Sequence, residues 1–182
     1  MSSTGTVTTA RGWTHAALAR AALAVALAVY LSAYFRDTRT FLLLDHVDLA
    51  IHEAGHVLFA PFGEFLGIAG GTLLQLIVPA VFVLYFLRRR DRYAAAIVVF
   101  WVSQSLFNVA TYAGDARAQL LPLVGGEDVL HDWAYMLGSL GWLHHDTAIE
   151  TGLRAAAFLV WLGALAAALH YSRVLRPDRA PA

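Results

Sequence analysis

Residues 52–56 read HEAGH, two histidines four positions apart with a glutamate directly after the first. On a helix such histidines stand about 40° apart on one face and can grip one metal ion, and the glutamate points to the same side. In that setting a metal acidifies a bound water, the glutamate removes its proton, and the resulting hydroxide attacks a carbonyl. His52 and His56 are therefore candidate metal ligands and Glu53 a candidate general base. Extending the helix backwards at about 100° per residue brings Asp45 and Asp48 within roughly 80° of the histidines, with His46 alongside. Val47, Ile51, Ala54 and Leu58 take the other side. A histidine and carboxylate hydrogen-bond network without metal is the alternative use of the same face.

The elements that must position these groups are apolar. Of 182 residues 59% are hydrophobic and 14% charged, with a mean hydropathy of +0.59, beyond the balance of a water-soluble domain. Ionisable groups in a membrane helix cost about 2.5–3.5 kcal/mol each on insertion scales and persist where something pairs with them. The fold class expected is all-α: a multipass membrane helical bundle of about five transmembrane helices plus an interfacial segment. The helices fall at about residues 15–34, 41–62, 72–87, 93–115 and 151–172. Residues 1–14 read as a disordered tail and 173–182 as an Arg-rich tail. The run PFGEFLGIAGG reads as a Gly-rich break or short re-entrant excursion. After the fourth span, Trp133, Tyr135 and Trp142 look like interfacial anchors.

Several classes drop out. A formal net charge of zero offers nucleic acid no basic footprint, and the absence of cysteine excludes disulfides, thiol catalysis and cysteine metal sites. Membrane lipids are the partners that remain; nothing in the sequence sets an oligomeric state. All thirteen basic residues are arginine, and an N-out, C-in arrangement puts nine of them on the cytoplasmic side: Arg36, Arg39, Arg88, Arg89, Arg90, Arg92, Arg173, Arg176 and Arg179. The positive-inside rule therefore favours N-out, C-in, in a plasma membrane of the bacterial inner-membrane type.

Two histidines do not complete a zinc site, so another segment must supply a ligand. Gln104, Asn108, Thr111, Tyr112 and Asp115 form a polar stripe at helical spacing on the fourth span, with Asp115 its natural oxygen ligand. The connection after it adds His131 as a further candidate ligand, with Asp132 beside it. His144 and His145 read as interfacial histidines facing water.

An HExxH on one membrane helix with an aspartate on a later one resembles the site-2 protease family of intramembrane zinc metalloproteases, over about residues 41–117. The resemblance implies one zinc ion per chain, held by His52, His56 and Asp115, with Glu53 as general base and Asn108 assisting substrate or oxyanion. It implies hydrolysis of a peptide bond in or near the bilayer, with a membrane protein as substrate. The family's Leu-Asp-Gly is Gly-Asp-Ala here, and its proline is missing. Two other classes stand beside this one. A membrane di-iron oxygenase would use the eight histidines, although a single HxxxH spacing is present. A non-catalytic metal-binding membrane protein would close the site with His52, His56, Asp115 and His131.

Overall fold

The computed structural model describes residues 14–37, 40–124 and 129–174, and among them every regular element is helical. Helix α1 (His15–Leu31) runs on through a 3-10 turn (Ser32–Phe35), and α2 (Leu43–Phe59) through another (Ala60–Phe62). Then come α3 (Glu64–Arg88), α4 (Arg92–Gly114), the short α5 (Asp132–Ser139) and, after the 3-10 turn Leu143–His145, α6 (Asp146–Ser172). Thr14, expected at the end of a tail, caps α1 by accepting the Ala17 N–H at 3.1 Å. The expected tails otherwise lie outside the described residues, apart from Arg173 and Val174.

Four stretches are long and apolar enough to cross a membrane: His15–Phe35, Glu64–Arg88, Arg92–Gly114 and Leu143–Ser172. The span expected at 41–62 is not among them. Helix α2 has only 17 residues, including Asp45, Asp48 and Glu53. It starts beside the middle of α4, where Asp48 accepts from Trp101 Nε1 at 2.7 Å and from Ser105 Oγ at 3.0 Å. It ends beside the first turns of α3. Asp45 and Asp48 are 0% exposed, whereas Leu43 and Val57 on the outer side are 78% and 77% exposed. The polar face is thus turned into the bundle and the apolar face away from it.

The connection between α2 and α3 differs from expectation. GIAGG is no break: α3 begins at Glu64, eight residues earlier than expected, and the turn is made at Gly63, whose φ of 102° suits glycine. The glycines serve packing instead. A methyl at Gly55 would overlap the Gly70 carbonyl, and one at Gly71 would sit 2.5 Å from His52 Nε2. Backbones approach closely where side chains are absent, as in membrane helix pairs generally. Helix α6 likewise starts at Asp146 rather than near 151. It packs on α1 and α4 through Ala157, Ala164 and Ala168, against Ala24, Ala28, Ala96, Phe100 and Phe107.

The ends of the bundle are unlike. Arg20 Nη1 donates to the Val174 carbonyl at 3.4 Å, Tyr93 Oη donates to the Arg20 carbonyl at 2.9 Å, and Arg92 lies over the Tyr171 ring. The start of α1, the start of α4 and the end of α6 therefore share one end. The N-out, C-in expectation would place the start of α1 and the end of α6 on opposite faces of a membrane, whereas here they lie at the same end of the bundle. Arg20, Arg88, Arg89, Arg90, Arg92 and Arg173 gather at this end. The other end holds the start of α3, the end of α4, α5 and the start of α6.

Candidate metal centre

At that second end the polar face of α2 meets side chains from α3, α4 and α5. His52 Nε2 lies 2.8 Å and His56 Nε2 3.2 Å from one oxygen, Oδ2 of Asp132. One donor atom from each of the three lies within 4.8 Å of the others, so the group can hold a metal ion. Tetrahedral ligands about 2.1 Å from a zinc ion stand roughly 3.4 Å apart, so the two histidine–Asp132 separations, 2.8 and 3.2 Å, would need to open by about 0.6 and 0.2 Å.

The outer ring nitrogens test the fit. His56 Nδ1 lies 2.9 Å from the Gly67 carbonyl, which can only accept, so Nδ1 carries the proton. His52 Nδ1 lies 3.2 Å from Gln75 Oε1, again an acceptor. In neutral rings both Nε2 atoms then offer lone pairs, and both face a carboxylate oxygen. Three acceptors aimed at one point repel one another unless a cation lies between them, and either a metal ion or an Nε2 proton on one of the two imidazoles meets that condition. Burial opposes ionisation of Asp132, but with protons on the facing imidazole nitrogens the hydrogen bonds from His52 and His56 outweigh that and hold its carboxyl below the ordinary value. Tyr112 Oη, which accepts the Asp132 N–H at 3.2 Å, fixes the start of α5 from α4.

Asp115 and His131, expected as ligands, are brought together elsewhere. Asp115 accepts the N–H groups of Leu120 and Leu121 at 3.0 and 2.9 Å, tying down the connection beyond α4. Its Oδ2 lies 3.4 Å from His131 Nε2. His131 is the N-cap of α5: Nδ1 accepts from Ala134 N at 3.3 Å, which leaves the proton on Nε2, toward Asp115. Burial lowers the His131 pKa against the pull of Asp115, and Tyr112 covers the ring at 4.4 Å. An N-cap side chain folds back on its own helix end, whereas the first-turn residue projects outward; hence Asp132, not His131, reaches the histidines.

Asn108 is also engaged. Its Nδ2 donates to Asp45 at 3.2 Å and its Oδ1 accepts from Gln75 Nε2 at 2.8 Å, so the amide is committed within the bundle. The stripes on α2 and α4 do meet, but through Asp45 and Asp48 rather than through Asp115. Gln75 went unread in the sequence, although a lone amide in the apolar run TLLQLIVP was a legible signal. Glu53 and Asn108 line a cavity of about 530 Å³ beside His52, His56 and Asp132, whose other walls include Leu49, Ile68, Leu121 and Leu130. His46 is exposed with its ring edge-on to Phe41, and His144 and His145 are exposed and lie against each other. Among the described residues no second group of three such donors accompanies the first.

No family model matches this chain, and neither the curated proteins nor the solved structures contain a match to it.

Proposed function

We propose that this chain is a membrane-embedded, zinc-dependent metallopeptidase, similar in its chemistry to the site-2 proteases, that hydrolyses a peptide bond within or near the bilayer. One observation carries the reading: His52, His56 and Asp132 converge at the wall of a cavity that Glu53 also lines. Two imidazoles and one carboxylate are a ligand set of catalytic zinc sites, which keep a further position open. When bound, zinc supplies Lewis acidity, polarising the scissile carbonyl and lowering the pKa of water. Glu53 accepts a proton from the attacking water and returns it to the amine nitrogen as the C–N bond breaks. One water is consumed, and the protein groups end as they began. The apolar wall formed by Leu49, Ile68, Leu121 and Leu130 accommodates apolar substrate side chains.

The four apolar helices support an integral position in the membrane, and a membrane protein is the substrate class that fits it. With the arginine-rich end toward the cytoplasm of a bacterial inner membrane, the metal centre lies in the outer half. Purified protein is expected to contain one zinc ion per chain. His52→Ala and Asp132→Ala lose it, whereas Glu53→Gln keeps it and cleaves a quenched fluorescent apolar peptide in micelles about 10²–10⁴-fold more slowly. Zinc-free wild-type protein, or undiminished cleavage by Glu53→Gln, overturns the reading.

A further inference from the structure

Asp45 lies seven residues before His52 and touches neither the imidazoles nor Asp132, yet it is fully buried and surrounded by donors. Tyr34 Oη donates to its Oδ2 at 2.5 Å and the Leu42 N–H donates to the same oxygen; Gln104 Nε2 and Asn108 Nδ2 donate to its Oδ1. Four donors occupy both oxygens, so Asp45 serves only as an acceptor.

That has a directional consequence. An amide can enter a hydrogen-bonded chain either way round, but a carboxylate at one end permits a single sense. Asn108 must present Nδ2 to Asp45, which turns its Oδ1 to Gln75 Nε2, at 2.8 Å. Gln75 must then present Oε1 to His52 Nδ1, at 3.2 Å. Asp48 reinforces the orientation, its Oδ2 lying 3.5 Å from the same Gln75 Nε2. The relay ends on a ring whose Nδ1 has only an acceptor to meet. We infer that Asp45, Asn108 and Gln75 form a one-way hydrogen-bond relay that holds His52 with Nδ1 protonated and the Nε2 lone pair turned toward the shared centre. All three are positioning residues, and the inference rests on reading His52, His56 and Asp132 as a metal centre. His56 needs no such relay, because the Gly67 carbonyl orients it directly.

The test measures zinc affinity of the purified full chain against a competing chelator. Gln75→Leu, which keeps the size and removes the acceptor, weakens zinc binding about 10–100-fold, the usual effect of losing a group that orients a ligand. Combining Gln75→Glu with Asp45→Asn and Asp48→Asn moves the carboxylate to the other end of the relay without setting it against the Asp48 carboxylate, still accepting from His52 Nδ1, and restores affinity to within a few-fold of wild type. With cobalt in place of zinc, Gln75→Leu alters the visible absorption bands and the triple variant returns them. Should Gln75→Leu fail to fold, ¹⁵N spectra of the zinc-loaded wild-type protein decide the matter: the relay requires His52 Nδ1 protonated and Nε2 coordinated. Coordination through Nδ1, or zinc affinity and cobalt bands unchanged in Gln75→Leu, overturns the relay alone. A wild-type protein that binds no zinc removes the metal centre itself.

Discussion

Asp115 and Asp132 differ in what already holds them. Asp115 is saturated by two backbone N–H groups and paired with His131, whereas Asp132 has one oxygen shared between two imidazoles. Asp115→Ala is therefore expected to keep one zinc ion per chain and to lose about 1–3 kcal/mol of stability, because two loop N–H groups lose their acceptor. Elemental analysis and thermal unfolding of that variant check both halves; loss of zinc from Asp115→Ala, with Asp132→Ala still loaded, would return Asp115 to the metal. At this scale HEAGH was legible in the sequence because a four-residue spacing on a helix is a local fact. The carboxylate was not, since Asp115, His131 and Asp132 all bear suitable atoms. Only cap geometry and the path of the chain separate them.

Between helices, glycine does what the polar residues cannot. The density of glycine from Gly63 to Gly71 reads as a break by rules drawn from water-soluble chains, where glycine weakens a helix. Here the absent side chains let α3 lie against α2, and Gly71 makes room for the His52 ring itself. That ring is held by Gln75 and Asp132 and cannot easily move aside. Gly71→Ala is thus expected to weaken zinc binding about tenfold or more while the bundle still assembles. Gly163→Ala in α6, where nothing lies within 4 Å of the added methyl, is its control: zinc affinity unchanged and stability equal or up to about 1 kcal/mol higher. Equal zinc affinity in both variants would mean that the close approach does not position the ring.

As a whole, the molecule has an arginine-rich end, where α1 starts and α6 finishes, and an opposite end that carries the candidate metal centre. Reporter fusions at the two chain termini are expected to report one compartment, the cytoplasm. Because the chain lacks cysteine, single thiols at Arg90 and Leu140 test the same point, the first labelled only after permeabilisation and the second from outside. Opposite reports from the two fusions would reject this packing of α1 and α6. The sequence by itself determined the helical class, the approximate positions of the apolar helices, and the face of α2 that bears His52, Glu53 and His56. Each follows from runs and periods within one segment, where backbone geometry sets spacing. Tertiary structure decided that α2 is a helix of 17 residues with its polar face turned into the bundle, that both outer helix ends meet on one side, and that Asp132, eighty positions from His52, supplies the carboxylate. Those outcomes depend on how whole helices pack and where a long connection returns, and no local spacing encodes them.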